Sequence, residues 1–282
     1  MTKIAENTPE PWGNDVLVDF DDGIAWVTLN RPDKRNAMSP SLNAEMIRVL
    51  DALEADPRCG VLVLTGAGEA FSAGMDLKEY FRATEAAEHV VRARTYRTAG
   101  TWQWRMLMNF YKPTIAMVNG WCFGGAFMPM IACDIAVAAE TATFGISEVN
   151  WGIIPAGNVT KALSIVMGHR KALYYIMTAE TFDGRKASEL GLVTESVPSE
   201  RLRARTEEIA RVLLKKNPHA VRQSKVAFKS IDEMSLEVAA DYLTAKNDQL
   251  TLIDPDKGRQ KGIAQFIDDK SYRPGLGEYK RG

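Results

Sequence analysis

Cysteine is scarce in this chain: Cys59, Cys122 and Cys133 are the only three among 282 residues. Scattered thiols of this number cannot make a disulfide framework, and no two form a Cys-x-x-Cys pair, so no metal centre is expected. Reduced thiols and a cytoplasmic location are the matching expectation. Histidine is as rare, and His89, His169 and His219 all fall in helical or inter-helical sequence. Excess charge of one sign is missing too, since 35 Lys and Arg stand against 36 Asp and Glu, a formal net charge of -1. That balance draws the chain neither to nucleic acid nor to an anionic membrane, although a local basic cluster can still hold a phosphate. Long apolar runs are absent. The most apolar stretch, Thr114 to Ala139, is broken by Asn119, Pro129, Asp134 and three glycines, which excludes a simple membrane span. Met1–Gly13 is polar and holds prolines, without the apolar core of a signal peptide. No low-complexity tract or regular sequence repeat is present.

What is there suits one large domain with a small appendage. Hydrophobic residues make up 46% and charged residues 25% of the chain, ordinary for a globular protein with a full core. Val16–Phe20 and Ile24–Asn30 flank the turn signal Asp21-Asp22-Gly23 and predict a hairpin. Ser39-Pro40 opens a helix with Leu42, Met46, Val49, Leu50 and Leu53 at helical spacing. Val61–Thr65 and Thr114–Val118 predict strands buried on both faces. The Gly66–Asp76 loop leads into helical sequence that runs to about Phe110. Gly120–Ala126 then precedes a short helix, and Ile135–Ala139 and Ala142–Gly145 are further short strands. Strand, loop and helix alternate in this way through 1–200, an α/β pattern. From 201 onward the sequence reads as helices over Arg201–Lys216, Ala220–Ile231, Leu236–Leu252 and Pro255–Asp268, with the breakers Asn217-Pro218 and Asp254-Pro255.

Three stretches combine glycine with chemistry-bearing neighbours. Phe71-Ser72-Ala73-Gly74-Met75-Asp76-Leu77 follows a strand, and its glycine permits a tight turn with outward-facing N–H groups. By itself it is as easily a plain strand-to-helix turn. The preceding Gly66-Ala67-Gly68-Glu69-Ala70-Phe71 is not a dinucleotide fingerprint, because Phe71 stands where a third small residue is needed. In Asn119-Gly120-Trp121-Cys122-Phe123-Gly124-Gly125-Ala126-Phe127-Met128-Pro129, Pro129 is harmless if the helix begins near Gly125 or Ala126. The free N–H groups at that helix start suit a developing oxyanion; close helix–strand packing also uses such glycines. Glu148 is a lone carboxylate among Ile146, Val149, Trp151 and Ile153. Partial burial there would raise its pKa, as a proton shuttle requires, whereas a solvated loop glutamate would show no shift.

Taken together, Asn30-Arg31-Pro32 with Asn36-Ala37, Ala73 to Leu77, Asn119 to Gly125, and Glu148 to Pro155 resemble the crotonase (enoyl-CoA hydratase/isomerase) superfamily in order and spacing. The wording Gly74-Met75-Asp76-Leu77-Lys78-Glu79-Tyr80-Phe81, Val118 to Gly125 and Glu148 to Ile153 is similar to its hydroxycinnamoyl-CoA hydratase-lyase branch. The resemblance covers most of the chain. It implies an α/β core of repeated ββα units wound as a superhelix over 1–200, and a C-terminal all-helical module over 201–282 that assembles trimers or dimers of trimers.

It also implies a substrate, an acyl thioester of coenzyme A, with no prosthetic group and no metal. The backbone N–H groups of Met75 and Gly125 would hold the thioester oxygen, and Glu148 would move protons. Two-carboxylate hydratases carry a second Glu where this chain has Met128, so Glu148 would act alone, first in hydration and then in retro-aldol cleavage. Lys34 and Arg35 would meet the coenzyme's phosphates, Ala37, Ala73, Asp76 and Leu77 its adenine, and Phe266 and Lys270 a neighbouring subunit's coenzyme. Tyr80 and Trp151 would border the acyl group. Lyases that read a para-hydroxyl place Ser or Thr at Met128 and Tyr at Thr244, so ring recognition is expected to be altered. Tyr242 is open to two readings, compensation for Thr244 or ordinary helix packing. A hydratase or isomerase that stops before carbon–carbon cleavage remains the alternative, and a catalytically idle CoA-ester-binding scaffold a more distant one.

Overall fold

A computed structural model describes residues 12–271. The first expected turn closes as a hairpin, with β1 (Val16–Asp21) antiparallel to β2 (Ile24–Leu29) and Val16 opposite Leu29. Asp22 and Gly23 turn the chain at positive φ, 41° and 89°, the handedness that matches strand twist. α1 (Pro40–Ala55) starts where the Ser39 hydroxyl accepts the Leu42 N–H and Pro40 takes the first position. Its Leu42, Met46, Val49, Leu50 and Leu53 form the buried stripe that the spacing predicts.

β3 (Val61–Gly66) is buried along its whole length, and β4 (Ala70–Ser72) follows after a turn. A π-helical turn at Leu77–Arg82 runs into α2 (Ala83–Glu85), and α3 (His89–Gly100) runs into a second one at Thr101–Met106, ending in α4 (Leu107–Asn109). Next come β5 (Thr114–Val118), β6 (Trp121–Phe123), α5 (Phe127–Ala132), β7 (Ile135–Ala139) and β8 (Thr143–Gly145). Then follow α6 (Val159–Val166), α7 (His169–Thr178), β9 (Thr181–Asp183), α8 (Gly184–Glu189) and β10 (Glu195–Val197).

The strands sort into two sheets, a six-stranded one in the order β1-β2-β3-β5-β7-β10 and a four-stranded one in the order β4-β6-β8-β9. Beyond the hairpin the large sheet is parallel, as is β4-β6-β8, and β9 closes the small sheet antiparallel. The winding follows from that order. β3 and β4, β5 and β6, β7 and β8 each place one strand in the large sheet and the next in the small one before a helix returns the chain. This is the expected superhelix of ββα units. The C-terminal ends of β4, β6 and β8 lead directly into the segments that carry Gly74, Gly124 with Gly125, and Glu148.

Several element boundaries differ from the sequence expectation. Ala70–Ser72 and Trp121–Phe123, expected as loop, are three-residue strands; β9 and β10 were not anticipated either. The helix expected from Pro255 starts only at Gly258, because the Asp254 carboxylate accepts the N–H groups of Asp256 and Gly258 and holds a turn there. The stretch expected as helix up to Phe110 is interrupted between α2 and α3. Pro129 sits in the first turn of α5, after a 3₁₀ turn at Gly124–Ala126, so it removes no helical hydrogen bond.

Of the C-terminal helices, α9 (Leu202–Leu214) buries Leu202, Thr206 and Ala210 against the large sheet. Arg211 ties it to the first hairpin through Asp21 and the Asp22 carbonyl. α10 (Pro218–Ser230) is capped by Asn217 and pinned by Lys225 and Lys229, which pair with Asp134 at 2.8 and 2.6 Å. α11 (Leu236–Ile253) and α12 (Gly258–Ile267) bury no residue among those described.

Candidate active site

The site is built on loops whose polar residues are consumed in holding one another. Asn36, fully buried at φ 55°, accepts the Arg31 N–H and donates to the carbonyls of Ala67 and Ala70. Ser72 donates to the Asn36 carbonyl and accepts the Gly74 N–H, so the 31–37 and 72–76 loops are locked as one unit. Asn119 adds the third loop by donating to Gly66 and Gly68. Arg31 lies across the pair, with Nη1 3.0 Å from Asp76 and Nη2 2.7 Å from Glu79. Asp76 also caps the π-helical turn by accepting the N–H groups of Lys78 and Glu79. Burial pushes the Asp76 carboxyl up, but the Glu79 N–H and the Arg31 guanidinium outweigh it and hold it below its ordinary value.

Two backbone turns meet above this frame. Gly74, at φ 90°, lies so close to the second turn that a methyl group on it would stand 2.6 Å from the Phe123 carbonyl oxygen and 3.2 Å from the Gly125 nitrogen. A methyl on Gly125 would in turn be 3.6 Å from the Met75 nitrogen. Neither the Met75 nor the Gly125 N–H has a hydrogen-bond acceptor among the described residues. Two free amide donors therefore stand side by side, one of them in the first turn leading to α5.

Glu148 faces the same place from β8's outgoing loop. A methyl on Gly124 would sit 3.1 Å from its Oε1, so only glycine leaves the carboxylate its position. Its Oε2 is buried without a hydrogen-bond partner among the described residues. Burial raises its pKa above the ordinary carboxylate value, partly offset by its own backbone N–H. An acid with a raised native pKa binds more protons folded than unfolded, so stability falls as pH rises from the ordinary carboxylate range through the native pKa. Glu148→Gln should therefore melt higher than the unaltered protein at neutral pH, with the gap closing in acid below about pH 4. Equal melting at neutral pH would show that the carboxylate is not held in a desolvated position.

Amides and carboxylate open on a cavity of about 880 Å³. Its walls include Lys34, Arg35, Ala37, Ala73, Asp76 and Leu77, together with Met75, Gly125, Glu148, Tyr80 and Trp151. Arg35 lies 4.8 Å over the Trp121 ring and 3.0 Å from Glu69, an exposed pair that water and salt weaken. Met128 is buried and lines a separate cavity with Trp104, Ile131 and Ala162. Tyr242 and Thr244 on α11, Phe266 on α12 and Lys270 beyond it do not reach the main cavity within this chain. Tyr96, Gln103, Trp121, Phe123 and Ile154 line it without having been expected there. Among the described residues, no group of three His, Cys, Asp or Glu is placed to hold a metal ion.

Residues 19–273 match the family model for enoyl-CoA hydratase/isomerase. The chain belongs to that family. This family member is 58% identical over 266 residues to a hydroxycinnamoyl-CoA hydratase-lyase of Pseudomonas fluorescens, covering 94% of this chain and 96% of that one. It is 29% identical to the 2,3-dehydroadipyl-CoA hydratase of Escherichia coli over 92% and 97% of the two chains. Among solved structures, an enoyl-CoA hydratase from Bacillus anthracis superposes with a TM-score of 0.82 at 28% identity, covering 95% of this chain and all of the other. The winding of ββα units is thus the family's fold.

Proposed function

We propose that this enzyme adds water to an aryl-substituted trans-2-enoyl-CoA and then splits the product into an aromatic aldehyde and acetyl-CoA. Likeness to the Pseudomonas hydratase-lyase along nearly the whole of both chains carries the reading. Glu148, half-buried near two unused amides with its Oε2 shielded from water, supplies the chemistry. The thioester oxygen accepts from the Met75 and Gly125 N–H groups, where the negative charge of an enolate gathers. Glu148 takes a proton from water as its oxygen bonds to C3, then returns that proton to C2. In the second half Glu148 takes the β-hydroxyl proton, the C2–C3 bond breaks to aldehyde and enolate, and the same proton quenches the enolate at C2. The carboxylate ends each half as it began.

Coenzyme A, as part of the substrate, lies along Lys34, Arg35, Ala37, Ala73, Asp76 and Leu77, and the acyl group extends past Tyr80 and Trp151. The exposed apolar side chains of α11 and α12, among them Leu236, Leu252 and Phe266, give a self-associating module at 201–282 a surface to bury, while 1–200 binds the thioester. In a trimer or dimer of trimers Tyr242, Thr244, Phe266 and Lys270 would meet a neighbour's cavity, and Met128 would back the acyl end as an apolar wall. All three cysteines are free and buried, in keeping with a cytoplasmic enzyme. Incubation with feruloyl-CoA should release aldehyde and acetyl-CoA in equal amounts by mass spectrometry. A β-hydroxy thioester that accumulates without aldehyde would make the enzyme a hydratase only.

A further inference from the structure

A hydroxylated aryl ring entering the cavity needs a polar partner for its hydroxyl, because a hydroxyl stripped of water and left unpaired weakens binding. The C-terminal helices do not provide one within this chain. Thr244 spends its hydroxyl on the Ala240 carbonyl at 2.9 Å, and Met128 has nothing to offer. Helix α3 does better. Tyr96, Ala99, Gly100 and, in the adjoining π-helical turn, Gln103 all line the cavity, the spacing of a single helix face.

That face has a particular shape. Ala99 and Gly100 are nearly bare, and a methyl on Gly100 would come within 3.3 Å of Nε1 of Trp104, four residues further along, which disfavours anything larger there. Tyr96 rises at one end of this floor, its ring centroid 5.3 Å from that of Tyr80 and inclined by 33°. Neither tyrosine hydroxyl has a hydrogen-bond partner among the described residues. Gln103, the other polar group on the face, directs its amide at the sulfurs of Met38 and Met75, 3.4 and 3.3 Å away.

We propose that Tyr96, paired with Tyr80, recognises the ring hydroxyl of a hydroxylated arylacryloyl thioester. The inference rests on the hydratase-lyase reading of this cavity and names the residue that sets its preference. Burial, and then the neighbouring Tyr96, push the Tyr80 phenol upward in pKa, so it stays neutral and able both to donate and to accept. The substrate hydroxyl can then accept from one tyrosine while donating to the other. Tyr80, at 7% exposure, is the fixed member of the pair, and Tyr96, at 44%, the one free to adjust as a ring arrives.

The test compares p-coumaroyl-CoA with cinnamoyl-CoA, which differ only by the hydroxyl, in the unaltered enzyme and in Tyr96→Phe. The ratio of their kcat/KM values should fall by about tenfold or more in the variant. An unchanged ratio overturns the proposal, including the case in which both thioesters slow alike, which would mark Tyr96 as a packing residue. Failure of the unaltered enzyme to turn over either thioester, or feruloyl-CoA, would instead remove the hydratase-lyase reading and this inference with it.

Discussion

Glu148→Gln should lower turnover of an arylacryloyl thioester by about 10²–10⁴-fold, the range expected when a lone general acid–base is lost. The amide is close to the carboxylate in size and hydrogen-bonding reach, so the space beside Gly124 stays filled and the fold is retained. Water would still enter and the thioester would still bind, but no group would take the proton from the attacking oxygen. Met128 offers no carboxylate, and no histidine lines the cavity, so the loss should not be rescued from within. The measurement is kcat for enoyl disappearance together with binding of the thioester by calorimetry. A fall in kcat with binding kept assigns the role; normal turnover would remove Glu148 from the chemistry.

Gly74→Ala should cost about 10²–10³ in rate through the oxyanion donors alone. Two causes act together at that position. A φ of 90° is strained for any residue with a side chain, and the added methyl would press on the Phe123 carbonyl at 2.6 Å, a backbone atom that cannot rotate away. Relief requires the 72–76 and 123–125 turns to separate, which moves the Met75 and Gly125 N–H groups off a common point. Met75→Leu is the informative control, since it changes the side chain but keeps the amide. Comparable rates for Gly74→Ala and the unaltered enzyme would show that alignment of the two amides is not what stabilises the enolate.

Much of this arrangement was legible in the sequence, and the part that was not has physical reasons. The first hairpin, α1, β3 and β5 declare themselves through β-branched runs, turn residues and helical spacing of apolar side chains. Glycine and carboxylate patterns pointed to the three loops that meet at the cavity. Short strands escaped because three residues such as Trp121–Phe123 contain too few alternations to show a period of two, and pairing with β4 and β8 defines them. Tyr96 escaped because α3 shows no apolar stripe: only Ala99 in it is buried, so its cavity-facing side carries no sequence signal. The engagement of the Asp76 carboxylate by Arg31 and two backbone N–H groups escaped as well, because it joins residues forty-five positions apart. Within one chain neither Met128 nor the described C-terminal helices reach the main cavity, an outcome of long-range packing that no local pattern encodes.

The wide turns at Leu77–Arg82 and Thr101–Met106 carry Tyr80 and Gln103 into the cavity. A helix that accommodates an extra residue in one turn can lose it and fall back to regular winding, swinging everything downstream by about 100° about the axis. Tyr80 and Gln103 are thus set by chain length as much as by residue type. A lineage could remodel the acyl end of this enzyme by deleting one codon in either turn, leaving the catalytic loops, which belong to other segments, unaltered in sequence.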